Sequence, residues 1–485
     1  MANIDYSTVE TPKPQRKWFK RLAKWIGVMW ALLIVLMLIG HGGWLWYLTH
    51  QLDNQIAEIE ARGEPMTLAA LRTTVPPPEV NGWGELAQAI KIVQQETPAW
   101  ESVDDRWFDP AIPLTDAERS VLETYVTERA AALPLIEAGF AKPQCVMDVP
   151  LVSPLMMANV PELGGVRSVA NLLRYQALVD FDRGDHALAL RRLEMIELPA
   201  RAGSSYPTLV GMLVGHGCRA VATMAYIELA PVLKVAPAAG GVTPAQLKSL
   251  IASLLDDTQI NAEQVVGLQG ERIGALEATR ILEQGQNSGN QAGGAPASKP
   301  QGGSISRYIV KPFLRSNALV VVRIFTAYLD ATQAATLPGM YDRITRLHPE
   351  VAEVKESRIN FLAGMLNAGM DRGVGAKYRI FTDRRLAATA LAIAWYRAEH
   401  DGEFPTSLEA LVPTYLPSIP IDAMSPGQPL RYRAGETPIL WSIGTNGIDD
   451  NGDDTIIKNR REEWNRPDRV VHLLPQLREV REVEE

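Results

Sequence analysis

Cysteine is almost missing from this chain: Cys145 and Cys218 are the only two in 485 residues. Two thiols exclude a disulfide framework and a cysteine-based zinc site. Two buried free thiols are the expectation, with a single Cys145–Cys218 bridge chemically open outside the cytoplasm. A basic face is missing as well. The net charge of −8 and pI near 5.6 argue against a nucleic-acid binder. Catalytic signatures are equally scarce. His41, His50, His186, His216, His348, His400 and His472 stand apart, with no H-E-x-x-H spacing, no G-x-S-x-G elbow and no Walker loop. The glycines of "GLQGERIGAL" fall on a predicted helix, which rules against a phosphate cradle. In "VGHGCRA" (Val214–Ala220), His216 and Cys218 lie two apart on a helix and point in different directions, so they do not make a nucleophile–base pair. Asp180, Asp182 and Asp185 read as a solvated face around a turn, and "RRLEMIE" (Arg191–Glu197) as surface charge patterning.

What is present is one long hydrophobic run. "WIGVMWALLIVLMLI" is unbroken from Trp25 to Ile39 and continues through Gly40–Gly43 to Leu48. A helix from Trp25 to Leu48 is about 36 Å long, enough to cross a bilayer core of about 30 Å with some tilt. Lys13, Arg16, Lys17, Lys20, Arg21 and Lys24 precede it against only Asp5 and Glu10, a bias that holds the start of the chain in the cytoplasm. Aromatic residues stand where a small-x-small cleavage site belongs, so the run reads as an uncleaved anchor rather than a signal peptide. "SNALVVVRIFTAYL" (Ser316–Leu329) is interrupted by Arg323 and too short to span.

The rest reads as mainly α. Gln51 to Arg62 continues the anchor as a stalk, and "TTVPPPEVNG" (Thr73–Gly82) breaks the helix because consecutive prolines remove donors. Thr115 with Glu118, and Thr243 followed by Pro244, are helix starts. "NLLRYQALVDFDRGDHALALRRLEMIELPA" (Asn171–Ala200) predicts an αα-hairpin of tetratricopeptide type about a Gly184–Asp185 turn, with no second copy at that period. Further helices are predicted over Tyr206–Lys234, Ile260–Glu283, Ser306–Thr336, Met340–Met370 and Asp383–His400. After His400 proline and glycine become dense, with short strands expected at Leu430–Arg433, Ile439–Ser442 and Asp468–Pro475. The organisation expected is a basic cytoplasmic segment 1–24, an anchor 25–48 and a helical domain 49–284 with its hairpin at 171–198. A flexible loop 285–304 follows, then a helical region 305–382, an α+β head 383–475 and a charged tail 476–485.

The head carries a resemblance. Tyr396, then Gly402, Phe404, Pro405 and Thr406, then Leu408 and Leu411, follow the order of a tyrosine, a G-x-[YF]-P-T element and an L-x-x-L turn. Pro420 and Asp422, the strand ending at Tyr432, and "WSIGTNGIDD" from Trp441 continue it. In this order Asp383–Asp454 resembles the C-terminal part of the major pseudopilin of type II secretion systems. The whole chain is similar to a group of bacterial membrane-anchored proteins, from which no activity carries over. It departs from pseudopilins in lacking a glutamate after Gly27, in the long stretch between anchor and head, and in having Ala423-Met424-Ser425 where a P-[WF]-G element belongs.

In pseudopilins the acidic loop binds a structural calcium ion. The resemblance implies the same for Asp449, Asp450, Asn451, Asp453 and Asp454, whose oxygens are the kind calcium takes. An EF-hand does not fit, because Gly452 at loop position 6 places Gly447 at position 1 and Lys458 at position 12. Apart from the resemblance, the stretch reads as an acidic turn in which glycine and asparagine supply left-handed backbone. The expectation is thus a single-pass protein of the bacterial cell envelope that contacts the lipid bilayer and a protein partner, acting in binding or scaffolding. The alternatives are an accessory component engaging pseudopilins and an envelope enzyme whose acidic residues meet only in three dimensions.

Overall fold

The computed structural model describes residues 16–71, 75–95, 115–153, 155, 159–236, 240–284, 304–349, 351, 360–455, 464 and 466–475. Lys13 and the rest of the chain before Arg16, nearly all of the 285–304 loop and the 476–485 tail lie outside them.

The anchor run and stalk form one helix, α1 (Arg16–Ala61). Every side chain from Trp18 to Ile39 is exposed, and the helix is long and apolar enough to cross a membrane. The short α2 (Leu68–Leu71) precedes the proline stretch, and α3 (Trp83–Val93) resumes after it. Next come α4 (Asp116–Glu128) and α5 (Ala132–Phe140). Thr115 starts α4 as expected: its hydroxyl accepts from the Glu118 N–H at 3.3 Å while Glu118 accepts from the Thr115 N–H at 2.8 Å.

The predicted hairpin is α6 (Glu162–Asp182) and α7 (His186–Glu194). Gly184 sits between them at φ +84°, a conformation a Cβ disfavours, and Asp185 caps α7 by accepting from the Leu188 N–H at 3.0 Å. Helices α8 (Glu197–Ser205) and α9 (Leu209–Leu229) follow and pack at close range. A Cβ on Gly215 would stand 2.6 Å from the Ala200 carbonyl oxygen, so only glycine admits this approach. The α9 region also passes the length and composition test for crossing a membrane, but most of it is buried in the body.

Helix α10 (Pro244–Leu255) has the Thr243–Gln246 capping box and Pro244 at its first turn. It leads to α11 (Thr258–Gln284) and α12 (Ser304–Asp330). Helix α12 runs parallel to α1 with a constant offset of 268 residues: His41 meets the Ile309 carbonyl, Arg323 donates to Gln55, and Arg62 pairs with Asp330. Leu48, Leu52 and Ile59 of α1 bury against Ala318, Leu319 and Val322, the three- and four-residue spacing of a two-helix seam. The upper half of α1 is therefore seated on the body.

One expected helix divides. In place of Met340–Met370, α13 (Leu337–Leu347) stops at His348, whose φ −137° and ψ 60° leave the helical region because Pro349 follows. Among the described residues the next long helix is α14 (Phe361–Glu399), which takes in the predicted helix from Asp383 and ends one residue short of its expected end at His400.

Three short strands form an antiparallel sheet in the order β1 (Arg431–Arg433), β2 (Ile439–Ser442), β3 (Arg469–His472), with Tyr432 opposite Leu440 and Leu440 opposite Val471. Alternation sorts its side chains. Leu440 and Val471 enter a core shared with Leu386, Leu391 and Trp395 of α14 and with the helices from α3 to α10. Ile439, Trp441 and Val470 cluster apart from that core. The boundary expected at 383 thus falls inside a helix, and the small sheet shares the principal core of the helical body.

A charged cleft and the acidic loop

Glu194 ends α7 and Glu197 begins α8, with only Met195 and Ile196 between them. That corner places both carboxyls on one wall of a cleft of about 260 Å³, closed by Arg219 and Tyr226 of α9, Ser253 of α10 and Arg384 of α14. The close α8–α9 approach at Gly215 brings Arg219 to Glu197, 22 residues earlier in the chain. The buried guanidinium grips Glu197 through Nε at 3.0 Å and Nη2 at 2.6 Å. It grips Glu263 of α11 through Nη1 at 2.7 Å and Nη2 at 2.9 Å. This is a doubly bidentate arrangement that lysine cannot reproduce. Arg384 instead donates to the carbonyls of Ser253, Leu254 and Asp256, satisfying the open end of α10.

The two carboxyls of the corner are pushed apart. Burial raises the Glu194 pKa, and the Arg191 contact only partly offsets this. Its place at a helix C-terminus, where the dipole disfavours negative charge, acts in the same direction. Burial also works on Glu197, but the charge and hydrogen bonds of Arg219 outweigh it and lower that pKa. Glu197 further benefits from opening α8. Arg219 is held charged far above its ordinary range: burial opposes the cation, and Glu197 and Glu263 prevail. Tyr226 is pushed up by burial and then by Glu194. The cleft therefore presents a carboxyl with a raised pKa, a carboxylate with a lowered one and a phenol.

The segment Arg191–Glu197 is consequently not ordinary surface patterning. Asp180 is likewise buried, accepting from Gln176 at 2.9 Å and from Arg192 at 3.4 Å, because Arg192 folds back along the hairpin. Asp182 meets Arg119, and Asp185 is the α7 cap. His216 and Cys218 fit the inert reading. Both are buried, burial pushes the His216 pKa down to about 3 and the Cys218 thiol up to about 12, and Cys145 and Cys218 are both free. Another buried cation, Lys377, donates to the Thr332 carbonyl at 2.7 Å and to Asn261 at 3.0 Å, and burial lowers its pKa to about 7.

The acidic loop folds over the outer face of β2, where a Cβ on Gly452 would meet Ile439 at 2.5 Å. Its centre is Asp468, fully buried, which accepts backbone N–H groups from Asp450, Gly452 and Asp453 at 3.4, 2.7 and 3.3 Å. The five residues expected to hold calcium turn to separate partners. Asp449 accepts from Arg431 at 2.6 Å and Trp441 at 3.1 Å, Asp450 from Asn446 at 2.9 Å, and Asp453 from the Thr455 N–H at 2.9 Å. Asp454 meets His472 at 2.8 Å, and the Asn451 carbonyl accepts from Arg433 at 3.2 Å. Asn451 itself sits at φ +58°, the left-handed turn its residue type allows. In number and kind these oxygens suit calcium, but in this arrangement they do not converge, and among the described residues no group of three or more His, Cys, Asp or Glu is placed to hold a metal.

The residues carrying the resemblance touch one another. The Tyr432 hydroxyl donates to the Pro405 carbonyl at 2.8 Å. The buried Asp422 carboxylate accepts from Ser442 Oγ, the Met424 and Ile443 N–H groups and Arg431. Asp468, Arg219 and Glu263 were not singled out from the sequence. No periodic or motif signal marks them, because their partners are distant in the chain. Compared with known proteins, the chain matches no protein-family model, no curated protein and no solved structure.

Proposed function

We propose that this chain is a single-pass membrane protein of the bacterial cell envelope, its start cytoplasmic and its helical body outside, acting as a binding module. The observation that carries the reading is α1. It offers an unbroken exposed apolar surface from Trp25 to Ile39, preceded on its inner side by Lys20, Arg21 and Lys24, and then seats itself on the body through Leu48, Leu52 and Ile59. A bare apolar helix of this length is costly in water and stable in lipid. The cleft beside Arg219 is the binding site of this module. With its arginines committed to neighbouring carboxylates and carbonyls, it favours a small ligand with donors for Glu194 and Glu197. A reporter active only outside the cytoplasm, fused after Glu485, tests the topology. Activity is expected, and an inactive but intact fusion overturns it.

Asp383–Asp454 is read as a pseudopilin-like head on the order of its motifs, supported by the mutual contacts of Tyr432, Pro405 and Asp422. Engagement of true pseudopilins would follow from that likeness, and co-purification in mild detergent tests it. A second reading, an envelope enzyme, is favoured by the opposed shifts of Glu194 and Glu197, the electrostatic setting of an acid and a base. Hydrolysis by the full-length protein that is lost in Glu194→Gln without loss of fold would support it.

A further inference from the structure

We infer that the first turns of α12 form a second membrane contact, resting in the outer headgroup–acyl boundary beside α1. The inference rests on the anchor reading above and adds to it. Tyr308, Ile309, Val310 and Phe313 are exposed by 42, 50, 46 and 41%, an apolar surface left half open among the described residues. It is continuous with the exposed surface of α1, because the His41 and Tyr308 rings meet at a tilt with centres 4.5 Å apart and Trp44 meets Phe313 edge-on at 5.1 Å. The constant offset between α1 and α12 sets the level. His41 stands 17 residues beyond Lys24, about 26 Å along the helix, close to the thickness of a bilayer core of about 30 Å. Tyr308 to Phe313 are therefore level with the outer surface of the membrane that α1 crosses.

The side-chain types suit that depth. Tyr308, Phe313, Trp44, Trp46 and Tyr47 together make an aromatic belt of the kind that prefers the interface. Lys311 has a stem long enough to lay along the acyl boundary with its ammonium among headgroup phosphates. Farther along, Arg315 pairs with Glu283 at 2.7 Å, and Arg323 and Asp330 reach the α1 stalk, so the helix turns polar as it rises into water. Two contacts rather than one then fix the tilt of the body over the membrane.

The test uses the full chain in vesicles of a phosphatidylcholine–phosphatidylglycerol mixture. A polarity-sensitive fluorophore is attached in turn to Ile309→Cys, to Leu33→Cys within the anchor and to Glu436→Cys on the exposed head. Unlabelled background is set by the parent chain, whose two cysteines are buried. Acyl chains brominated at shallow or deep positions serve as quenchers. The expected result is a blue shift and loss of emission at residue 309 with shallow bromines, at residue 33 with deep bromines, and neither at residue 436. A water-like, unquenched probe at residue 309 together with quenching at residue 33 overturns the inference and leaves the anchor standing. No quenching at residue 33 overturns the anchor reading, and the inference with it.

Discussion

Replacing Arg219 with methionine removes the one cation shared by Glu197 and Glu263 while keeping most of the side-chain volume. The Glu263 side chain is 10% exposed and the Glu197 side chain 34%. Breaking a buried ion pair by deleting one partner costs about 3–5 kcal/mol, chiefly for the charge left behind. Solvent screens Glu197, so Glu263 carries most of the loss and the lower end, about 3 kcal/mol, is expected. Adding Glu263→Gln removes the stranded charge and should recover roughly half of that deficit. The pH dependence gives a sharper check. In the parent chain Glu197 has a lowered pKa, so its contribution is present at neutral pH and fades as pH falls through its folded value. Without Arg219, only the more distant Arg384 and Arg201 oppose burial at Glu197, so that pKa moves upward and the variant gains relative to the parent as pH falls. The deficit should therefore narrow when urea unfolding, followed by tryptophan fluorescence on the detergent-solubilised chain, is moved from about pH 7.5 to about pH 5. A deficit of the same size at both values would refute this account of the cleft.

Lys377 has a folded pKa near 7 against an ordinary 10.5, so the unfolded chain holds the proton more tightly across that window and stability rises with pH through it. Relative to Lys377→Met, the parent chain should gain on the order of 4 kcal/mol between pH 7 and 10, read from melting curves over a pH series. Asp468→Ala strips three N–H groups of their acceptor and should cost about 2–3 kcal/mol, with faster amide exchange at Asp450, Gly452 and Asp453 as its local signature. Calcium in the loop is tested by a chelator: a fall in melting temperature supports the ion, and an unmoved transition leaves the loop to Arg431 and His472, which meet Asp449 and Asp454. Gly184→Ala places a Cβ at φ +84° and should cost about 1–2 kcal/mol by thermal unfolding.

Local chemistry carried far in this chain. Thr115 and Thr243 cap helices where their spacing to Glu118 and Gln246 indicates, Gly184 turns the hairpin, and the three strands lie within the segments alternation marks. Such features were legible because each depends on neighbours within a few residues, and the apolar run of α1 depends on composition alone. The end of α13 before Pro349 was legible in principle, from the restriction proline places on His348, yet periodicity on both sides concealed it.

What tertiary structure alone decided is which charges are buried and with whom. Arg219 joins carboxylates 22 and 44 residues away, Asp468 gathers a loop some 16 residues upstream, and α1 finds α12 across 268 residues. An arginine or aspartate in a sequence looks the same whether water or protein will solvate it. The difference arises only when packed helices exclude water and the remaining polar groups must satisfy one another.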